Sequence, residues 1–377
     1  MEWVKLCDVA EVIMGQSPKS EYCNDNKEGL PFYQGVSDFG EIFPVPTKYC
    51  TEPKKIAEID DILIGVRAPV GDLNISNSNC CIGRGVAAIR ANEKFISKKY
   101  LFYFLKTQKQ YFEINSTGST FKAINKSVLS ETLVPIIDIN KQKIIEDMLD
   151  RIENIIRKRK EQIQAYDDLI ESLFLSSIDN SKYELIKIND LILEKPKRLS
   201  KDNTSSISYF DISSIDNLKN VIKEEKIITE VSDRPGRAKQ ILEKNDILLS
   251  NVRPNLKNIA YFDFNNTCLA IGSTGFTILR SDIKRINPRF LFYSVLTEEF
   301  TEKLLINSTG ASYPAVKEEI VRDQTIKVPP IELQNKFADY VIKIEEEKKK
   351  LNSSLKELED LFDALMQEAF SGNLFKD

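Results

Sequence analysis

The sequence contains no histidine, a single tryptophan, and six cysteines with no pair at the C-x-x-C spacing. Without an imidazole there is no Ser-His-Asp triad, no Cys-His nucleophile pair and no histidine-ligated metal. Cys7, Cys23, Cys50, Cys80, Cys81 and Cys268 read as free thiols of a reducing compartment. No window reaches the ~18 consecutive apolar residues of a membrane span. The opening "MEWVKLCDVAEV" lacks the basic-then-apolar order of a secretion signal. The expectation is a cytoplasmic protein without membrane contact. The G-x-x-x-x-G-K-[ST] phosphate loop, the G-x-G-x-x-G turn and H-E-x-x-H are missing too. Carboxylate or lysine chemistry stays open, but the chain reads as a binder before an enzyme. No catalytic residue, metal ligand or cofactor of its own is expected.

What is present is a duplication. The chain has 377 residues, 42% hydrophobic and 29% charged, an ordinary globular balance. Single cores stop growing near ~250–300 residues, so at least two domains are expected. The five letters INSTG occur at Ile114–Gly118 and again, 192 positions on, at Ile306–Gly310. Around them "DILIGVRAP" (Asp61–Pro69) matches "DILLSNVRP" (Asp246–Pro254), and "CIGRGVAAIR" (Cys81–Arg90) matches "CLAIGSTGFTILR" (Cys268–Arg280). "KYLFYFL" (Lys99–Leu105) matches "RFLFYSVL" (Arg289–Leu296), and "LVPIIDI" (Leu133–Ile139) matches "KVPPIEL" (Lys327–Leu333). Blocks recurring in one order mark two tandem copies of a unit of about 190 residues.

Each copy opens with short β-type runs broken by Gly, Pro and Asn, such as "GLPFYQGV" and "ISYFDIS". At least one helix is expected in each copy, around Lys98–Tyr111 and around Pro288–Leu305. Each copy closes with a long helix. Ile145, Leu149, Ile152, Ile156, Ile163, Tyr166, Ile170 and Leu173 step by four and three, with Arg159 in the polar slot. Phe337, Val341, Ile344, Leu351, Leu355, Leu358, Phe362, Leu365 and Ala369 do the same, with Lys348 in the slot. That alternation is a coiled-coil seam, and the two stripes read as each other's antiparallel partner. The fold class is therefore α+β: two globular domains and two long antiparallel coiled-coil helices with internal pseudo-two-fold symmetry. The expected segments are 1–137, helix 138–180, 181–330 and helix 331–377. Helices of about 35 residues would span roughly 50 Å.

The net charge of −4 argues against a free-standing polyanion binder, yet the acidic excess falls in the two helical segments. The segment 181–330 is mildly basic, with clusters at Glu194–Lys201 and Ser232–Lys239.

Taken together the blocks resemble the specificity (S) subunit of type I restriction–modification enzymes. The resemblance rests on "QG..DFG" (Gln34–Gly40), Asp61–Gly71, Cys81–Arg90, the repeated INSTG, Val328–Gln334 and "LFDALMQEAFSGNL" (Leu361–Leu374). It covers nearly the whole chain. It implies a non-catalytic, DNA-binding subunit of a phage-defence restriction system. Two target-recognition domains each read one half of a split double-stranded site, and the helices fix the gap and dock partner subunits. The implied partners are two modification (methyltransferase) subunits and two restriction subunits, which carry S-adenosylmethionine, ATP and Mg. At about 3.4 Å per base pair, a 50 Å rod sets a separation of one to two DNA turns. Two further readings stay open: the specificity subunit of a related methylation system lacking the nuclease, and a coiled-coil scaffold that binds no DNA.

Base readout favours Arg, Lys, Asn and Gln offered from loops. The candidates are Gln34, Arg67, Arg84 and Lys122 in the first copy. In the second they are Arg234, Arg237, Arg253, Asn255, Lys257 and Tyr313. Arg67 and Arg253 recur beside a proline in both copies, which assigns them a shared structural or phosphate-holding role. Different half-sites then require unshared residues, and "STFK" (Ser119–Lys122) against "ASYP" (Ala311–Pro314) is where the difference is expected.

Overall fold

A computed structural model describes residues 1–118, 122–179, 183–200, 202–310 and 313–374. The chain divides into two compact units, Met1–Glu161 with Asn352–Asp377, and Gln162–Leu351.

In the first unit the run "DILIGV" shows no polar alternation because strand Ile62–Gly65 is buried throughout. It pairs antiparallel with Val86–Ala91 and Leu73–Ile75, and Ala10–Met14 completes the four-stranded sheet. A five-stranded sheet contains Leu30–Tyr33, which runs parallel to Cys80–Ile82. The expected helical stretch consists of two helices, Lys98–Thr107 and Lys109–Ile114. They break at Gln108, whose N–H caps the first helix on Leu105 O at 3.0 Å. Tyr100, Leu101, Phe104 and Phe112 from these helices fill the core with Ile62, Ile64 and Ile89 of the sheet.

The second unit repeats this plan. Ile247–Ser250 pairs with Phe276–Leu279 and Ile259–Tyr261, and Ile207–Phe210 runs parallel to Leu269–Ser273. Again the helical stretch consists of two helices, Pro288–Leu296 and Glu298–Ile306. Asn287 and Pro288 start the first, and the Thr297 hydroxyl accepts from Phe300 N to start the second.

The long helices run Ile139–Ile178 and Ile331–Ser371, 40 and 41 residues. Each is therefore ~60 Å long, more than the sequence pattern suggested. In the first unit Ile145 and Leu149 share one buried cluster with Met366, Ala369 and Phe370, and Lys160 pairs with Glu359 at 2.9 Å. In the second, Ile170 clusters with Phe337, Val341 and Ile344, and Lys348 pairs with Asp167. Both sets of partners run in opposite chain directions, as the stripes predict. Every expected seam residue is buried or half-buried. Phe174, Met366 and Phe370, just beside the seam, are buried as well, because there the helices also pack on the β-rich parts.

One polar residue fastens each long helix to its unit. Gln142 is fully buried; its amide donates to Phe95 O (3.1 Å) and Ile137 O (2.9 Å), and its carbonyl accepts from Ser97 N (2.9 Å). Gln334 makes the matching bonds to Pro329 O and Asn287 N, both at 2.8 Å. A buried amide so satisfied fixes the direction in which the helix leaves the unit.

Candidate nucleic-acid interface

In the first unit Gln34 follows Leu30–Tyr33, and Arg84 lies in the turn between Cys80–Ile82 and Val86–Ala91. Arg67 follows Ile62–Gly65, and Lys122 follows INSTG. Backbone bonds lay these segments side by side. Gly85 N donates to Gln34 O (3.1 Å), Val66 N to Gly85 O (2.9 Å) and Ala68 N to Lys122 O (3.0 Å). A Cβ at residue 85 would lie 2.2 Å from Gln34 O, so only glycine allows this approach. All four predicted residues thus stand exposed on one rim. Gln34 and Arg67 line a cleft of about 340 Å³ together with Asp38 and Lys48. The Asp38 carboxylate is taken up by Gln34 N (2.7 Å) and Gly35 N (3.4 Å). Among the described residues Arg67 and Lys48 have no ion-pair partner, so both cations face solvent unneutralised. Among the described residues the Arg84 guanidinium bonds only the Ser17 hydroxyl, at 3.3 Å from Nε.

The second unit builds a rim by the same rule. Thr274 N donates to Arg237 O (2.9 Å), Asn251 N to Gly275 O (2.9 Å) and Arg253 N to Pro314 O (2.7 Å). Arg237, Arg253 and Tyr313 meet there. The Arg253 guanidinium stacks 4.3 Å from the centre of the Tyr313 ring, which is 66% exposed. Asn255 sits in the short helix Pro254–Leu256, flanked by Arg253 and Lys257 in left-handed conformations (φ 52° and 46°). Non-glycine residues there cost about 1 kcal/mol or more each. Asn217 and Asn220 hold the loop, donating to Leu256 O (2.9 Å) and Lys257 O (2.8 Å).

Two predicted residues are engaged otherwise. Lys257 pairs with Glu298 at 2.5 Å. Arg234 turns inward and donates to Asn203 O and Ser205 O, so its guanidinium ties a loop.

The supposed equivalence of Arg67 and Arg253 does not hold. Arg67 bridges Ala123 as Val252 bridges Ala315, and Ala68 N bonds Lys122 O as Arg253 N bonds Pro314 O. Arg67 therefore corresponds to Val252, and Arg253 to Ala68. Matching the letters before each proline misplaced them by one residue. They are unshared side chains on a shared backbone. Ser119, Thr120, Phe121, Ala311 and Ser312, where further divergence was expected, lie outside the described residues.

Residues 1–165 match the sequence family described as Type I restriction modification DNA specificity domain. A sequence assigned to the specificity subunit of type I restriction enzyme MjaX of Methanocaldococcus jannaschii is 42% identical over 169 residues. That alignment covers 44% of this chain and only 40% of the relative. The MjaIX specificity subunit of the same organism is 21% identical over 98% of this chain and 92% of its own length. The crystal structure of a type I system S subunit from M. genitalium shares the fold end to end. Its TM-score is 0.59 at 16% identity, covering 98% of this chain and 96% of that one. Residues 1–165 thus resemble the type I restriction–modification specificity domain in sequence, and the chain as a whole shares the fold of an S subunit.

The chain carries two features that no motif announced. The basic clusters at 194–201 and 232–239 meet as neighbouring strands: Arg198 bridges Gln240, Leu199 N donates to Lys239 O (2.8 Å) and Ile241 N to Lys197 O (2.9 Å). Lys197, Arg198, Arg237 and Lys239 are all exposed and have no ion-pair partner among the described residues. The other feature is a buried two-pronged ion pair in each unit. Arg90 grips Asp61 at 3.0 and 2.9 Å, and Arg280 grips Asp246 at 2.8 and 2.8 Å. Each carboxylate also accepts a backbone N–H at 2.8 Å, from Glu58 or Glu243. The signal existed: Asp61 and Asp246 open matching blocks, and Arg90 and Arg280 close matching blocks. Among the described residues no cluster of three or more acidic or cysteine ligands could hold a metal, and no helix is long and apolar enough to cross a membrane.

Proposed function

We propose that this subunit gives a type I restriction–modification complex its sequence specificity, each rim reading one half of a split DNA site. The supporting observation is the pair of rims themselves. Both use the same backbone ladder, yet arginine and a small or apolar residue exchange places at adjacent positions: Arg67 with Ala68, Val252 with Arg253. A frame that stays while its side chains change suits two readers of different sequences. The half-sites are therefore different and the whole site asymmetric. The long helices act as the spacer between the readers and as the docking surface for two modification and two restriction subunits. Those partners supply the chemistry with S-adenosylmethionine, ATP and Mg, and this chain has no catalytic role.

Methylome sequencing of cells expressing the chain with its modification subunit tests the reading. One bipartite motif is expected, with a methylated adenine in each half and an unread gap between. A continuous motif would sink the two-reader scheme, and no methylation at all would favour a scaffold without DNA.

The basic strand pair makes a second expectation measurable. Each released counterion contributes a slope of about 0.9 to the salt dependence of duplex binding. Replacing Lys197, Arg198, Arg237 and Lys239 together by glutamine should lower that slope by up to ~3.6 and weaken specific and random DNA alike. An unchanged slope removes this surface from the interface.

A further inference from the structure

All six cysteines are free thiols, and five of them lie in the first unit. Three of those five meet. Cys50 and Cys81 are fully buried beside Phe32, and Cys23 packs against them from the edge strand of the five-stranded sheet. Cys80 belongs elsewhere, its thiol 3.3 Å from Ser76 Oγ in another cluster. The second unit, built on the same plan, holds only Cys268. The shared fold therefore does not need the three thiols.

Strand register decides which two can join. Strands Cys23–Asn24 and Lys48–Cys50 are antiparallel neighbours, with Cys23 directly opposite Cys50. One position outward, Thr51 N donates to Tyr22 O at 3.0 Å, so Tyr22 and Thr51 are a bonded pair. Bonded and non-bonded pairs alternate, which makes Cys23 and Cys50 a non-bonded pair. Their Cα atoms then stand ~4.5 Å apart with both side chains on one face, inside the ~4.4–6.8 Å that a disulfide spans. Cys81 lies on Cys80–Ile82, with Leu30–Tyr33 between it and Lys48–Cys50. Two strand spacings put those backbones ~10 Å apart, beyond the reach of a disulfide. Burial, and then Cys50 beside it, push the Cys81 thiol up to about 12, so it stays protonated and inert. Cys23 is the accessible member. It is half-buried, and its Sγ makes only a weak bond to Lys19 O, at 3.7 Å. Burial and Cys50 raise its thiol, while the Lys48 ammonium opposes them.

We propose that Cys23 and Cys50 are an oxidation site for low-molecular-weight disulfides, closing into a bridge that braces one side of the first cleft. The Cys23 thiolate attacks one sulfur of the small disulfide, bonds to it and expels the other half as a thiolate. Cys50, deprotonated in turn, attacks the Cys23 sulfur and expels the second half. The two protons lost by the cysteines end on the two released thiols, so one disulfide is reduced as another forms. The bridge closes the loop 23–50, which carries Gln34, Asp38 and Lys48 of the cleft. A disulfide restricts the opening of the loop that it closes. The inference goes beyond the proposed function and does not depend on DNA.

The test incubates the folded full chain with glutathione disulfide, caps free thiols with N-ethylmaleimide and maps peptides without reduction. A Cys23–Cys50 linked peptide is expected. It should vanish with dithiothreitol, still form in Cys81→Ala and be absent from Cys23→Ser. Hydrogen exchange at Leu30–Tyr33 and Lys48–Cys50 should slow by about tenfold or more in the bridged chain. The same exchange in Cys23→Ser without oxidant should match the reduced unaltered chain, which separates loss of the bridge from loss of the fold. Glutathione held on Cys23 with no second step overturns the proposal. So does a link from Cys50 to Cys81, or a bridge that forms only in denaturant. A bridge that leaves the exchange unchanged overturns the brace.

Discussion

Asp246→Ala is expected to cost the second unit about 3–5 kcal/mol, the loss typical when one partner of a buried ion pair is removed. Asp246 is fully buried, and burial pushes its carboxyl up while the Arg280 guanidinium pulls it back. Hydrogen bonds to Asp246 in turn hold the Arg280 guanidinium firmly in its charged form. Removing the carboxylate leaves the mostly buried Arg280 with only the exposed Glu243 carboxylate, at 2.6 Å, among the described residues, and frees the Glu243 N–H. Hydrogen exchange followed by mass spectrometry reads the outcome: amides of Ile247–Ser250 and Phe276–Leu279 should lose protection together. The double variant Asp246→Leu with Arg280→Met should recover part of the loss, since a buried pair replaced by apolar residues is often near neutral. Asp61→Ala should cost less, because Arg90 is more exposed than Arg280 and keeps two carboxylates, Glu58 at 3.0 Å and Glu11 at 3.8 Å, where Arg280 keeps one. Equal protection in Asp246→Ala and the unaltered chain would refute the structural weight given to this pair.

Phe174→Ala carries the other large effect, about 3–5 kcal/mol for the cavity and the lost ring contacts. Phe174 lies on the first long helix, and its ring is 5.4 Å from Phe290, 6.3 Å from Tyr293 and 5.5 Å from Phe337. It thus joins three helices in one core. Phe174→Leu keeps most of the buried area and should cost less than half as much. Denaturant titration of both variants, with exchange protection at Phe290–Leu296 and Phe337–Ile344, checks this. A Phe174→Ala chain as stable as Phe174→Leu would mean that the ring contacts contribute little.

The duplication and the seam were legible because both write themselves into residue type at fixed spacing. Ile145 through Leu173 step by four and three, and Phe337 through Ala369 repeat the pattern 192 positions later. Phe174, Met366 and Phe370 escaped that pattern because their burial also draws on the rest of each unit, Phe290 against Phe174 and Tyr100 and Phe104 against Phe370. The four candidates of the first rim also came from the sequence, by residue type and turn context. Their assembly did not: it depends on backbone bonds such as Gly85 to Gln34, which any residue but proline can make. The same blindness hid the meeting of two basic clusters about 40 positions apart in sequence, since strand pairing over that distance leaves no local signature. The one-residue offset between Arg67 and Arg253, by contrast, stands in the nine-letter blocks Asp61–Pro69 and Asp246–Pro254, which set Arg67 opposite Val252 without a gap. Helix breaks at Gln108 and Thr297 were missed for a simpler reason: neither is a glycine or proline.

The two units differ in how the chain is spent on them. The second is one continuous stretch, Gln162–Leu351, whereas the first takes Met1–Glu161 and then waits for Asn352–Asp377. Met366, Ala369 and Phe370 lie inside its core, with Phe370 5.2 Å from the Tyr100 ring and 5.5 Å from Phe104. On the ribosome, then, the unit made first finishes last. Its apolar face around Tyr100 and Phe104 stays open while about two hundred further residues are synthesised, at ~5–20 residues per second. For some tens of seconds the nascent chain presents a completed second unit and an unfinished first one, and that interval is when chaperones, or another nascent copy offering its own last helix, can reach the open core.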